Sequence, residues 1–506
     1  MSQQKKQWVA IIIMIALFAM IAFVTNLCSP MAIIVKNQFG ASDFLAQVGN
    51  YGNFIAYLLM GIPSGMLIKR WGYKKTALCA LLVGIVGILV QWMSGWNSVE
   101  SFAVYLIGAF IAGFCMCMLN TVVNPMLNLL GGGGNKGNQL IQVGGVFNSS
   151  AAVAVYIIMG ALIGDAAKAK IADVTPALFI ALGIFVVGFI VILFSKIEEP
   201  EQHVEVKQAN KEKDKYSAFS FRHFNLGILA IFLYMGIEVG VPTYVLQYLT
   251  SDTEAIKSKK ELVMKQYEQH QFASVNEAAT AFVGVTTDIP AIREAGNQEE
   301  ITALDKQISD VEKKITEGTI SAEKVSKTVT GLAMNATIVG LIVAVYWFLM
   351  LIGRFVGSTI GGKVSSRAMI TTVAIASLVL VAFGMFAPTH ITVSVPGIDW
   401  ANVSLIWAEV PVGIFAFLLV GLCTSVMWGG IFNMAVEGLG KYTAIASGAF
   451  MTMVFGCAVM VAIQAWIAGF TGSYLASYVV VLFCAAYILF YALVGSKNVN
   501  KDIPVE

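Results

Sequence analysis

Charge is scarce in this chain. Of its 506 residues only 12% are Asp, Glu, Lys or Arg, whereas 58% are hydrophobic. Soluble domains carry about 25% charged residues. A water-soluble core has no room for so much apolar surface, so lipid must be the solvent for most of the chain. Basic and acidic residues nearly balance, 32 against 30, which excludes the basic surface a nucleic-acid partner needs. Histidine is rarer still. His203, His223, His270 and His390 all fall in loops or at the ends of apolar runs. No cluster of acids or histidines lies within the runs, so no membrane-embedded enzyme is expected. The seven cysteines (Cys28, Cys79, Cys115, Cys117, Cys423, Cys457, Cys484) sit in apolar runs with neither zinc nor disulfide spacing. They read as small hydrophobes. The glycines at 131–134, followed by Asn135-Lys136-Gly137, lack the phosphate-loop pattern and a preceding strand. A turn is expected there, and no cofactor motif remains.

What the chain does have is long apolar runs. A spanning helix needs about 20 such residues, because lipid offers the backbone no hydrogen-bond partner. Runs of that kind fall near 9–35, 44–68, 76–95, 101–130, 139–164 and 174–195, and again near 223–249, 331–358, 369–387, 404–435, 444–469 and 473–495. The first follows Lys5-Lys6 but continues to about residue 24 without a cleavage site, so it reads as a span and not as a signal peptide. The expected fold is an all-α polytopic membrane protein of twelve transmembrane helices in two six-helix bundles.

The order of parts follows. Residues 1–195 form the first bundle and 196–222 a charged linker. Span seven occupies 223–249, an insertion 250–330, and the rest of the second bundle 331–506. Lysine and arginine concentrate in alternate loops: Lys69, Arg70, Lys74 and Lys75 after span two, Lys136 after span four, six in the linker, Lys363 and Arg367 after span eight, and Lys441 after span ten. By the positive-inside rule that side is cytoplasmic, as are both termini, and the membrane is the cell inner (plasma) membrane. The insertion then lies outside. Leu304, Ile308, Val311 and Ile315 recur there at helical spacing amid charges. Two or three amphipathic helices are expected, forming a small cap with a surface His270 and room for an extracytoplasmic partner. The basic turns closing span two (Gly65 to Lys75) and span eight (Gly361 to Arg367) are a weak repeat. Equivalent halves of this kind are a transporter architecture, with the site near mid-membrane between them.

Polar residues inside the spans mark the candidate site. Asn120, Asn124 and Asn128 recur every four residues in span four, around Pro125. Asn50, Asn53 and Tyr57 share a stripe of span two, and span one has Asn26 and Ser29 before Pro30. Span five offers Gln142, Asn148 and Ser149, and span ten Trp428 and Asn433. Buried amides must bond something, either neighbouring helices or a substrate. Amides exchange hydrogen bonds with hydroxyls, and a ring packs on C–H faces, so a monosaccharide or another small neutral polar solute fits the mixture. Span seven adds Tyr234, Glu238 and Gln247. Glu238 is the one acid deep in an apolar run. A charged carboxylate there is costly, so it is expected to hold a proton when dry and release it when wetted, as a proton carrier does. Simple packing as a bonded neutral acid is the competing role. Pro242 is expected to bend or break the helix beyond it. Arg354 reads as a gating or loop-anchoring residue near the cytoplasmic end of span eight.

These stretches resemble the major facilitator superfamily, and within it the fucose–proton symporter family. Asn124-Pro125-Met126 with Leu129-Leu130-Gly131, Phe147-Asn148-Ser149, Tyr234-Met235-Gly236-Ile237-Glu238-Val239, Gly353-Arg354-Phe355-Val356-Gly357-Ser358 and Gly438-Leu439-Gly440-Lys441-Tyr442-Thr443 are similar to that family's stretches in spans four, five, seven and eight and between spans ten and eleven. The resemblance implies a secondary transporter importing a sugar with protons by alternating access. The chain departs from the pattern where it matters for coupling. The family's span-one asparagine–aspartate pair falls on Cys28 and Ser29, its span-four glutamate on Asn120 and its span-five glutamine on Gly145. Its loop after span seven is short, whereas here about 80 residues intervene. Glu238 is therefore either the remaining proton site or the sign of an uncoupled carrier. The expected ligand contacts are Asn26, Asn53, Tyr57, Asn120, Asn124, Gln142, Asn148, Tyr234, Gln247, Trp428 and Asn433, with Glu238 for the proton. An uncoupled uniporter and a transport-inactive sensor are the alternatives.

Overall fold

The computed structural model describes residues 3–39, 43–96, 98–99, 101–163, 171–172, 174–195, 216–334, 336–399, 404–500 and 502–505. Most of the linker expected at 196–222 lies outside the described residues. Long helices dominate, as lipid demands of a backbone that must satisfy itself. The first half comprises spans one to six: Gln3–Phe39, Asp43–Trp71, Tyr73–Met93, Phe102–Leu130, Gly134–Ile163 and Thr175–Phe194. The second comprises span seven (Arg222–Thr250), span eight (Ala336–Ile360), span nine (Ser366–Phe386), span ten (Val412–Val436), span eleven (Thr443–Thr452 and Gly456–Thr471) and span twelve (Tyr474 to Gly495). Ten of these are long and apolar enough to cross a membrane among the described residues. Spans two and five, of 29 and 30 residues, complete the set. The chain is a multi-pass membrane protein.

Short turns link consecutive spans at one end. Gly72, at φ 90°, lets span two pass directly into span three, and its N–H closes on the Ile68 carbonyl at 2.8 Å. The glycines at 131–134 form the turn expected of them, three of them at positive φ. Span eleven is interrupted by a 3₁₀ turn at Met453–Phe455. It lies where a Cβ on Gly456 would strike the Phe232 carbonyl of span seven. Pro242 does not break span seven, which runs unbroken from Arg222 to Thr250.

Two features depart from the sequence reading. Residues 404–411, assigned to span ten, form instead the second strand of an antiparallel hairpin, β1 (Thr392–Asp399) with β2 (Ser404–Pro411). Its face of Val395, Gly397, Ile406, Ala408 and Val410 packs inward, while Leu405 and Trp407 are exposed. The insertion holds five helical segments where two or three were expected: Glu254–Glu268, Val275–Gly284, Ile289–Ala295, Gln298–Thr316 and Ala322–Ser326. Thr253, Ser274, Asp288 and Ser321 each cap the start of one by accepting a backbone N–H. Leu304, Ile308 and Ile315 are buried with Met264, Ala279, Val283, Ala322 and Val325 in a core separate from that of the spans. His270 is exposed, as expected. At the base of this cap, the backbone of 331–334 closes on the end of span seven through four bonds of 2.8–3.0 Å, to Tyr248, Leu249, Ser251 and Asp252.

Candidate transport site

Span four supplies the frame. Pro125 has no N–H to give the Thr121 carbonyl four residues back. The Ser447 hydroxyl of span eleven donates to that carbonyl at 3.1 Å, so a gap in one helix becomes a bond between the halves. Around it the asparagine stripe is engaged step by step. Asn120 Nδ2 donates to the Tyr57 hydroxyl at 2.6 Å. Asn124 Nδ2 donates to the Asn120 carbonyl at 3.0 Å, and Asn124 Oδ1 accepts from Trp428 Nε1 at 3.1 Å. The Trp428 ring stands 6.2 Å from Tyr234 and 5.6 Å, edge to face, from Phe450. Tyr57, Asn120, Asn124, Trp428 and Tyr234 thus form one continuous chain of contacts from span two to span seven. It crosses from the first half to the second.

Glu238 lies one helical turn beyond Tyr234 on the same face and is half-buried. Among the described residues nothing hydrogen-bonds the buried Tyr234 hydroxyl. The Tyr346 hydroxyl of span eight is bonded to Thr424 at 3.1 Å. Pro242 lacks the N–H that would bond the Glu238 carbonyl.

From this level to the end with the short turns, the halves are tied shut. Gln142 Nε2 donates to the Val426 carbonyl at 3.2 Å. Asn128 Nδ2 donates to Asn433 Oδ1 at 2.7 Å, and Asn433 in turn donates to Ser366 at 2.9 Å. Gln139 reaches the Ser358 carbonyl at 3.0 Å. Arg354 Nη1 donates to the Gly145 carbonyl at 3.3 Å, Asn148 Oδ1 at 3.2 Å and Ser149 Oγ at 2.6 Å. The backbones themselves touch where span two passes span eleven. A Cβ on Gly65 would sit 2.6 Å from the Ala444 carbonyl, and one on Gly448 2.9 Å from the Gly65 nitrogen. Gly353 and Gly357, on either side of Arg354, similarly admit Ser425 and Val426 of span ten.

The residues singled out in the sequence fall into three groups. Tyr57, Asn120, Asn124, Tyr234 and Trp428 converge, with Glu238 beside them. Gln142, Asn148 and Asn433 lie in the bonds that hold the halves closed; Asn148 Nδ2 also donates to the Phe18 carbonyl at 2.8 Å. Asn26 and Gln247 stand apart from the cluster. Asn26 is half-buried and bonded to its own helix at Ala22 (2.8 Å), and Gln247 is half-buried near the end of span seven. The side chains of Asn53, Cys28 and Ser29 lie outside the described residues. Sequence reasoning missed Tyr346, Ser447 and Phe450. It set Arg354 near the end of span eight, which closes six residues later at Ile360, but did not foresee that the guanidinium reaches Asn148 and Ser149 of span five. An arginine inside an apolar run was the available signal.

Comparison with known proteins agrees with this architecture. The family model of the Major Facilitator Superfamily matches residues 12–256. A glucose/galactose transporter of Brucella abortus is 24% identical over 503 residues, covering 98% of this chain and 96% of that one. The L-fucose-proton symporter of Escherichia coli is 21% identical over 273 residues, 49% of this chain and 61% of its own length. In solved structures, a crystal form of the Escherichia coli fucose:proton symporter superposes with a TM-score of 0.67 at 17% identity, covering 97% of this chain and all of that one. A major facilitator transporter in the outward conformation gives 0.69 at 16% identity, again covering 97% of this chain and 100% of that chain. The first half of the chain thus matches the Major Facilitator Superfamily model, and the whole chain shares the fold of these solved transporters.

Proposed function

We propose that this protein imports a small neutral sugar, with a proton, by alternating access between its two halves. The observation that carries the reading is the chain of amides and rings at their junction, with one half-buried carboxyl, Glu238, beside it. Hydroxyls of a sugar can take over the amide bonds now made between Asn120, Asn124 and their neighbours, and the Trp428 and Tyr234 rings offer faces for its C–H groups. The names of the relatives, glucose/galactose transporter and L-fucose-proton symporter, favour the same substrate class and coupling ion. The short basic turns favour a cytoplasmic position for the closed end and both termini, with the cap and hairpin outside the inner membrane. The arrangement is then an outward-facing one. Wetted from outside, Glu238 can take up a proton. Buried on closure, it carries that proton across with the sugar.

The test is uptake into proteoliposomes of the full chain with glucose, galactose and fucose as probes. Glu238→Gln is expected to abolish accumulation against a gradient and to leave sugar-for-sugar counterflow intact. Accumulation equal to wild type in that variant removes Glu238 from the mechanism. Wild-type counterflow without any proton-driven accumulation makes the protein a uniporter.

A further inference from the structure

A second set of amides lies one helical turn nearer the closed end than the cluster of amides and rings. Asn128 follows Asn124 by four residues on span four, a rise of about 6 Å. Where Asn124 pairs with Trp428 of span ten, Asn128 Nδ2 donates to Asn433 Oδ1 at 2.7 Å, and Asn433 donates to Ser366 at 2.9 Å. Span five adds Asn138 and Gln142. Both are aimed at Gly429, the neighbour of Trp428: a Cβ there would stand 2.7 Å from Gln142 Nε2 and 3.2 Å from Asn138 Oδ1. Gly137 brings span five against Asn128 as well, since its Cβ would stand 3.0 Å from Asn128 Nδ2. All four amides are buried. One atom sets the group apart from a plain clasp. Asn138 is fully buried, and among the described residues nothing hydrogen-bonds its Oδ1, while its Nδ2 faces a weak acceptor, Met369 Sδ, at 3.9 Å. A carbonyl oxygen buried without a donor is costly, and a leucine of similar shape would close the same space without that cost. Closure alone therefore does not account for Asn138.

Resting on the sugar-import reading above, we propose that this lower set is a second sugar subsite, used on the way out to the cytoplasm. The bonds from Asn128 to Asn433 and from Gln142 to the Val426 carbonyl each join one half to the other, so both break when the halves part at this end. Asn128, Asn138 and Gln142 then meet the opening from the first half, and Asn433 from the second. Sugar hydroxyls take over the broken bonds, and Asn138 Oδ1 accepts from a hydroxyl the donor it lacks while closed. Bonds from amide to amide and from amide to hydroxyl are of similar net worth, so the exchange offsets the cost of opening. The sugar moves from the upper set to the lower by one helical turn. Away from the Trp428 and Tyr234 faces it is held by its hydroxyls alone, and so more weakly, as release requires.

The experiment uses the full chain in right-side-out and inside-out membrane vesicles, so that each face meets the probe in turn. The probes are whichever of glucose, galactose and fucose exchanges best and its analogues lacking one hydroxyl. The half-saturation of each analogue is divided by that of the parent sugar. A change in the balance of outward-open and inward-open states scales all sugars alike and cancels in this ratio. In Asn138→Leu the ratio for at least one analogue is expected to fall about fivefold on the cytoplasmic face, the worth of one hydrogen bond, and to stay unchanged on the external face. Asn128→Ser, which shortens the donor now bonded to Asn433, is expected to act on the same face, and it keeps the test alive if Asn138→Leu does not fold. Wild-type ratios on the external face show that a variant is folded. Cytoplasmic ratios that stay unchanged in a folded variant, or ratios that change equally on both faces, make the lower set a clasp between the halves and overturn the subsite alone. Wild-type vesicles that exchange no sugar at either face remove the sugar reading, and the subsite falls with it.

Discussion

The two halves bring different chemistry to their junction. The first half offers amides and a phenol: Asn120, Asn124, Gln142, Asn148 and Tyr57, with no charge among them. The second offers rings, Tyr234, Tyr346, Trp428 and Phe450, and the two opposite charges, Glu238 and Arg354. Amides donate and accept, so their partners can be exchanged for hydroxyls at little net cost. Rings supply apolar area that a sugar covers with its C–H faces. Under the proposed function, the contrast would assign selection by hydrogen bond to one half, and affinity from surface burial together with coupling to the other. Such a division has a physical advantage. A proton can then bind and leave within a single rigid half.

The sharpest way to break this division is at Trp428. Trp428→Ala removes the ring face and also leaves Asn124 Oδ1 without its 3.1 Å donor. The combined loss is about 2–3 kcal/mol, roughly hundredfold in sugar affinity. Trp428→Phe keeps a ring and loses only the N–H, and is expected to cost about tenfold. Equilibrium binding of radiolabelled sugar to the purified chain measures both. If the Phe variant is as weak as the Ala variant, the bond to Asn124 matters more than the ring, and the assignment of roles to the halves is reversed.

A smaller effect is expected on the other side. Asn120→Ala deletes one amide and leaves the Tyr57 hydroxyl without its 2.6 Å partner. The loss of one such hydrogen bond costs about 1 kcal/mol, or roughly fivefold in affinity. The amide half should show itself in selectivity. Binding of sugars differing at one hydroxyl is expected to converge in Asn120→Ala, whereas Trp428→Phe weakens them in parallel. Parallel loss in Asn120→Ala removes the amide from sugar recognition.

Most of the frame could be read in advance because lipid imposes it. Runs of about 20 apolar residues admit few structures other than helices. The misreadings arose where that constraint was masked or absent. Ser404–Pro411 joins the apolar run of span ten, yet its alternation of Leu405, Trp407 and Glu409 with Ile406, Ala408 and Val410 has the period of a strand. Length was allowed to outweigh period. Outside the lipid, the cap could end its helices wherever a Thr, Ser or Asp cap allowed, and it broke into more pieces than its periodicity suggested. At the site, the asparagine stripe and Trp428 were legible as residue types. Their pairing was not, because Asn128 with Asn433 and Gln142 with Val426 join positions some 300 residues apart. Nothing local records such a match. Arg354 was legible as a gating or anchoring residue near the end of its span, but its partners on span five were not, because they lie some 200 residues away in sequence.

The smallest effect concerns the cap, and it decides whether the second half contributes anything beyond its spans. Leu304→Ala with Ile308→Ala empties the middle of the cap core, at a cost of about 2–5 kcal/mol for each residue. The cap should then become sensitive to trypsin at its many lysines. The base should hold, because its four backbone bonds to the end of span seven and the 3.0 Å contact of Ser251 with Tyr474 do not depend on that core. Below the base, the Tyr244 hydroxyl still donates to the Val461 carbonyl at 2.9 Å and keeps span seven on span eleven. Sugar affinity is therefore expected to stay within about twofold of wild type. A tenfold loss in the doubly substituted protein, with counterflow slowed as well, would make the cap part of the pathway, and the second half would then supply an outer lid in addition to its rings and charges.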